Sequence, residues 1–224
     1  MITRVLAVAG LASGAVLGWT SPGPAVAAGC PDVEVVFARG TGEPPGVGWI
    51  GQQFIDALRW RTWGRAVGVY PVDFPAVPEF GPSAAGVADA SRHIREMTAG
   101  CPATQLVLGG YSRGAALIGY ATEPAAGGLG EGLPPDAAGH VSAVALLGKP
   151  SLEFLNSLGA PALAVGPAYA AKTIDLCAPG DPICSQGGDG SAHAAYAANG
   201  MTAQAADFAV SRLLPPAGPP GQPL

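Results

Sequence analysis

Gly110-Tyr111-Ser112-Arg113-Gly114 matches G-x-S-x-G, the pattern in which a serine stands at the apex of a sharp strand-to-helix turn. A serine so placed is suited to acyl transfer, provided that a base takes its proton and donors meet the oxyanion that forms. The glycine spacing has a steric cause, because a Cβ at either flanking position would collide with the neighbouring strand or helix. Ser112 would also open a helix, where free N–H groups and the helix dipole favour negative charge. The flanks supply the context: Leu106-Val107-Leu108-Gly109 reads as a buried strand, and Ala115-Ala116-Leu117-Ile118 begins a helix.

A base for Ser112 must come from three histidines. His93 lies inside a helical stretch, Ser83–Ala99, that precedes the nucleophile strand, which suits a structural or solvated residue. His140 stands just before the strand-like Val141–Leu147, whereas sites in open α/β sheets form at the carboxyl ends of strands. His140 is therefore expected at the wrong edge. His193 follows the last strand and opens the last helix, in the order serine, acid, histidine. It is the expected base.

The acid should follow a strand and precede His193, which leaves Asp175, Asp181 and Asp189. The cysteines decide among them. Arg4 is the only charge before Asp32, and the apolar run Val5–Trp19 precedes a small-x-small site at Ala25-Val26-Ala27. This is the arrangement of a cleaved export signal over residues 1–28, and the run is too short to span a bilayer. Four cysteines in an exported chain read as two disulfides, and no CxxC pair argues for a metal instead. Cys30 and Cys101 each precede a strand-like run, so neighbouring parallel strands would bring them together; Cys177 and Cys184 would then close a short loop. Asp181 sits inside that loop, where a disulfide fixes the direction of the carboxylate. Asp175 falls within the last strand, and Asp189 in the Gly-rich Gln186–Gly190. Asp181 is the expected acid.

These residues need a scaffold, and the hydrophobic pattern supplies one. Continuous apolar runs at Val33–Ala38, Ala66–Val72, Gln105–Leu108, Val141–Leu147 and Ala171–Leu176 suit strands buried on both faces of a parallel sheet. Helical stretches alternate with them at Gly48–Trp63, Ser83–Ala99, Arg113–Thr122 and Leu152–Leu158, and a last helix is expected over Ala192–Leu213. The alternation means an α/β layer structure with right-handed crossovers. The domain is expected over 29–214, with a Pro-rich, unstructured tail over 215–224. With 49% hydrophobic residues and 12% charged ones, a chain of 224 residues can fill such a core. A net charge of −5 without a basic run argues against a nucleic-acid partner.

One oxyanion donor is expected from the backbone N–H of Arg113, the residue after the nucleophile. A second belongs on the loop after an early strand. The first strand runs into Phe37-Ala38-Arg39-Gly40-Thr41-Gly42-Glu43, which reads either as such a loop, with Thr41 offering an N–H and a hydroxyl, or as a plain glycine turn.

With these residues in order, the chain resembles the cutinase family, and within it the exported cutinase-like esterases of mycobacteria and their relatives. The resemblance runs from about Gly29 to Leu214. It rests on Cys30-Pro31, on Phe37 through Glu43, on Gly110 through Ala115, on Cys177 through Asp181-Pro182-Ile183-Cys184, and on His193 with Tyr196. It implies Ser112, Asp181 and His193 as a catalytic triad, and Thr41 with Arg113 as oxyanion donors. It implies a three-layer αβα sandwich, the α/β-hydrolase fold, around a five-stranded parallel sheet, and it implies the same two disulfides. One departure stands out, since the family usually carries Gln where this chain has Arg113.

A serine esterase acting through an acyl-enzyme is the activity that the resemblance implies, on short to medium acyl chains, with no metal or organic cofactor. Apolar walls are expected from Pro78–Pro82 and from Pro182-Ile183. An acyltransferase, or an esterase of envelope lipids and phospholipids with peripheral contact to a lipid surface, would use the same residues. An inactive secreted binding module is the reading from another class. A monomer is expected.

Overall fold

The computed structural model of the chain describes residues 29–76, 83–123, 129 and 131–215. The expected leader, the Pro78–Pro82 wall and the tail beyond Pro215 lie outside them. Five strands form one parallel sheet: β1 (Val33–Ala38), β2 (Val67–Pro71), β3 (Gln105–Tyr111), β4 (Val141–Leu147) and β5 (Thr173–Leu176), in the order β2-β1-β3-β4-β5. Each pairing is parallel, and β1 meets β3 with Val33 opposite Gln105 and Ala38 opposite Gly110. The order places the first strand beside the nucleophile strand, so their carboxyl ends share one edge.

Burial explains why the strands read as continuous apolar runs. Alternate residues face two separate cores, one on each side of the sheet. On one side, Val35, Phe37, Val107, Ala145 and Leu147 pack with helices α1 (Gly48–Arg61) and α6 (Met201–Arg212), through Phe54, Leu58 and Ala205 among others. On the other, Val36, Leu106, Leu108, Val144 and Leu146 pack with α2 (Ala84–Gly100) and α3 (Arg113–Thr122), through Val87, Ile94 and Ile118. The result is a three-layer αβα sandwich. Two short helices, α4 (Leu152–Ser157) and α5 (Pro167–Ala170), lie between β4 and β5. Ser83 caps α2 by accepting a hydrogen bond from Gly86 N, and Ser151 caps α4 in the same way from Phe154 N.

The structure corrects one element. Instead of one helix over Ala192–Leu213 there is a short 3-10 turn, Ala192–Ala194, then a connecting stretch, then α6 from Met201. Asn199-Gly200 makes the break. Gly200 adopts φ 82°, and the Asn199 side chain accepts a hydrogen bond from Met201 N at 3.1 Å. The Ala-rich sequence concealed this, although an Asn-Gly pair is a recognised turn signal. His193 therefore sits on a tight turn and not on the first turn of a long helix.

Cys30 pairs with Cys101 and Cys177 with Cys184, with Cα separations of 5.6 and 5.8 Å. The first bridge ties the amino ends of β1 and β3 together. The second encloses Asp181. Among the described residues no helix is long and apolar enough to cross a membrane.

The junction of β3 and α3 is tightly closed. A Cβ on Gly110 would lie 2.4 Å from the carbonyl oxygen of Gly114, and a Cβ on Gly114 would lie 2.0 Å from that of Ala38. Both obstacles are backbone, which cannot rotate away. Gly114 thus lets the first turn of α3 press against the end of β1. Gly114→Ala should destabilise the domain at or beyond the upper end of the about 1–3 kcal/mol typical of overpacking. A thermal unfolding curve that matches the parent chain would contradict this account of the junction.

Candidate active site

Ser112 sits between β3 and α3 with φ 54° and ψ −121°, and no other non-glycine residue among those described has a positive φ. Such a conformation costs of order 1–3 kcal/mol and persists only where the surroundings enforce it. Here they do: Ser112 N donates to the Leu147 carbonyl at the end of β4 (2.8 Å), and the Ser112 carbonyl accepts from Ala116 N in the first turn of α3 (3.1 Å). The side chain is turned toward His193, whose Nε2 lies 2.8 Å from Ser112 Oγ.

On its other nitrogen, His193 Nδ1 lies 2.8 Å from Asp181 Oδ2. Asp181 is fully buried, and every group bonded to its side chain is a donor. Ile183 N donates to Oδ1 at 2.9 Å, and the Tyr196 hydroxyl donates to Oδ2 at 2.6 Å. A carboxylate is an acceptor, so the proton between Asp181 and His193 belongs on Nδ1. That leaves Nε2 with its lone pair toward the serine hydroxyl. Ser112, His193 and Asp181 therefore form one continuous hydrogen-bonded chain, though they come from three separate stretches of sequence.

The loop around Asp181 is rigid for local reasons. The Cys177–Cys184 bridge closes it, Asp181 N donates to Ala178 O, and Ser185 donates through both its N and its Oγ to Asp181 O. Ser151 N, at the cap of α4, donates to Ile183 O at 2.9 Å, which ties the loop to the end of β4. Asp175 and Asp189 are elsewhere. Asp175 forms an ion pair with Lys149 at 3.2 Å, and Asp189 accepts from Ser191 N and Oγ in an exposed turn. His140 lies at the amino end of β4 and its carbonyl accepts from Leu106 N. His93 stacks on Tyr70 with ring centroids 3.5 Å apart and bonds to the buried Glu34.

Two tyrosines complete the surroundings of His193, and sequence reasoning gave neither a role. Tyr196 is fully buried; its hydroxyl donates to Asp181 and accepts from Ala178 N at 3.1 Å. The Tyr111 hydroxyl donates to the His193 carbonyl at 2.5 Å, with its ring stacked 5.1 Å from the imidazole. Burial first, and then the bond to Asp181, push the Tyr196 phenol well above its ordinary value. Burial first, and then the Glu43 and Asp181 charges, do the same for Tyr111. Both shifts favour the protonated phenol that donates these hydrogen bonds. Gly148, at φ 61°, leaves room for this pair, since a Cβ there would meet Tyr196 Oη at 2.9 Å and His193 Cε1 at 3.2 Å.

The loop after β1 is held as firmly. Glu43 accepts from Gly40 N at 2.6 Å and from Trp49 N at 2.5 Å, bridging the loop to the start of α1. Buried Arg39 donates to the carbonyls of Glu43, Val72 and Phe74. Between these anchors Thr41 Oγ1 is buried and has no hydrogen-bond partner among the described residues. An unpaired buried hydroxyl carries a cost of about 1–3 kcal/mol unless something meets it, and a bound ligand atom would do so. Arg113 is the first residue of α3, and its side chain is buried with the guanidinium 5.8 Å from the Phe74 ring centroid. Arg39 and Glu43 entered the sequence reading only as members of the Phe37–Glu43 segment, with no role of their own.

Comparison with known proteins identifies the family. The family model described as Cutinase matches residues 29–213. The chain is 50% identical over 192 residues to Phospholipase Culp4 of Mycobacterium tuberculosis (strain ATCC 25618 / H37Rv), covering 85% of this chain and 82% of that protein. It is 48% identical over 187 residues to Carboxylesterase Culp1 of the same strain, covering 82% of each. The solved Trichoderma reesei cutinase in complex with a C11Y4 phosphonate inhibitor superposes with a TM-score of 0.62 at 32% identity, over 83% of this chain and 78% of that one. With the family model spanning the whole described domain and half of the residues shared with a relative, this chain belongs to the cutinase family.

Proposed function

We propose that the protein hydrolyses carboxylic esters through Ser112, with His193 as general base and Asp181 as the residue that orients it. The observation that carries this reading is the unbroken line of hydrogen bonds from Ser112 Oγ to His193 to Asp181, each 2.8 Å. His193 Nε2 takes the Ser112 proton as Oγ attacks the ester carbonyl, and Asp181 stabilises the imidazolium that forms. The backbone N–H groups of Arg113 and Thr41, with the Thr41 hydroxyl, meet the oxyanion. Each such donor is worth about 2.7–4 kcal/mol of barrier. His193 then protonates the leaving alcohol, and a water activated by the same imidazole releases the acid and restores Ser112. Every proton that moves is carried by His193, so the cycle closes with no further group.

The catalytic domain is residues 29–214, freed of an export signal over 1–28. Two disulfides among the described residues support an extracellular or envelope location, since such bridges persist in oxidising compartments. The enzyme acts as a monomer on short to medium acyl chains, with Ile183 beside the site as part of the acyl wall. A second reading, an esterase of phospholipids that works in peripheral contact with a lipid surface, is favoured by the 50% identity to a relative named a phospholipase.

Hydrolysis of p-nitrophenyl esters across acyl lengths tests the proposal. The Ser112→Ala chain should lose about 10³-fold or more of kcat/KM, and equal activity in both chains would end the esterase reading. Tyr196→Phe separates positioning from chemistry. Removing the hydroxyl leaves Asp181 one donor short and Ala178 N unpaired, which should cost about 1–3 kcal/mol of stability. The loosened imidazole should lower kcat by about tenfold with KM little changed. A KM effect with an intact kcat would place Tyr196 in substrate binding instead.

A further inference from the structure

The tryptophans carry a feature that ester hydrolysis does not use. Those in the described residues are Trp49, Trp60 and Trp63, all on α1 or just beyond it, and they are 67%, 76% and 86% exposed. A lone exposed apolar side chain is ordinary, but Trp is a residue that folding normally hides. Trp60 and Trp63 fall within Arg59-Trp60-Arg61-Thr62-Trp63-Gly64-Arg65, where aromatic and basic residues alternate. This is an ordered segment. Thr62 closes the helix by donating through N and Oγ1 to Leu58 O, and Arg65 N donates to Thr62 O.

The topology puts further residues of the same kind nearby. Helix α1 runs from the carboxyl edge of the sheet to its amino edge, and α6 runs beside it in the same direction, joined by the ion pair of Arg61 with Asp207. At the end of α6, Arg212 lies over the Phe208 ring, and Leu214 is 68% exposed with its backbone bonded to the Gln105 side chain at the start of β3. Among the described residues Arg59, Arg65 and Arg212 have no carboxylate partner. A protein of net charge −5 thus concentrates unpaired arginines at one edge, interleaved with exposed indoles and a leucine.

We propose that this amino edge, formed by Trp60, Trp63, Leu214, Arg59, Arg65 and Arg212, docks the protein on a bilayer bearing anionic phospholipid. Indoles settle at the head-group level of a bilayer, and arginines reach lipid phosphates while their stems stay in apolar surroundings. A soluble polyanion would engage the arginines and leave the indoles and Leu214 in water. The inference goes beyond both substrate readings, because it puts a lipid contact at the edge opposite Ser112, where the bound bilayer is an anchor and not the substrate. Ser112 lies past the carboxyl end of β3, and the seven residues of that strand separate the two edges by about 23 Å. The docked enzyme therefore holds its serine away from the bilayer that anchors it, open to esters arriving from the other side.

Binding can be measured without turnover, so its failure and the failure of the esterase reading are distinguishable. The purified Ser112→Ala chain is sedimented with vesicles of equimolar phosphatidylglycerol and phosphatidylcholine, and with vesicles of phosphatidylcholine alone, while tryptophan emission is followed. The expected result is at least tenfold tighter binding to the anionic vesicles, weakening as salt is raised, with a blue shift of emission. Trp60→Ser with Trp63→Ser, and separately Arg59→Gln with Arg65→Gln, should each weaken binding by tenfold or more. Trp49→Ser, at the site edge of α1, should leave it unchanged. Trp60, Trp63 and Arg59 are exposed and Arg65 is half-buried, so the unfolding temperature checks each fold, and either double variant alone decides the matter. Absence of binding, equal binding to both vesicles, or binding that survives both double variants would overturn the proposal. So would loss of soluble-ester turnover by the otherwise active chain once vesicle-bound, because that would put the contact at the opposite edge.

Discussion

The turn at Ser112 is the constraint on which the rest of the molecule depends. Its φ of 54° is unfavourable for any side chain, and the one local bond, from Ala116 N in the first turn of α3, does not hold it there alone. What holds it is the sheet: Leu147 O at the end of β4 on one side, and the end of β1 on the other, against which Gly114 allows α3 to close. The order β1-β3-β4 is thus more than an efficient way to bury apolar strands. It brings two neighbouring strand ends to bear on one residue, and the local strain is balanced by burial distributed over both cores.

A second consequence of the same edge is that bonds between side chains and backbone tie down the residues near Ser112. Asp181 is held by Ile183 N, the loop after β1 by Arg39 bonded to three carbonyls, and His193 by Tyr111 through its own carbonyl. Buried polar groups are costly unless they are satisfied, and here nearly all are. Thr41 Oγ1, on the loop after β1, is an exception, buried and unmatched among the described residues.

The two ends of the sheet divide the work. The carboxyl edge gathers Ser112, His193, Asp181 and the loop around Thr41. The amino edge carries the Cys30–Cys101 bridge and the exposed aromatic and basic residues at the ends of α1 and α6. Both sets are outcomes of one topology, because every crossover helix returns the chain from one edge to the other.

Much of this was legible in the amino-acid sequence. The alternation of apolar runs with helical stretches fixes a parallel α/β sheet, because only strands buried on both faces are apolar at every position. Gly110, Ser112 and Gly114 announce their turn locally, since the steric demand lies within five residues. Three histidines and a strand-edge argument single out His193, and the short Cys177–Cys184 loop singles out Asp181. Other features belong to tertiary structure alone. That Tyr196 reaches Asp181, that Tyr111 supports His193, and that Arg39 and Glu43 clamp the loop around Thr41 are contacts between segments that no periodicity connects. The break at Asn199-Gly200 was hidden because helix propensity is additive along an Ala-rich stretch, whereas burying Tyr196 beneath Asp181 requires the chain to turn first. The exposure of Trp60 and Trp63 was equally invisible, since sequence pattern says which residues favour burial, and only the packed layers decide which are left outside.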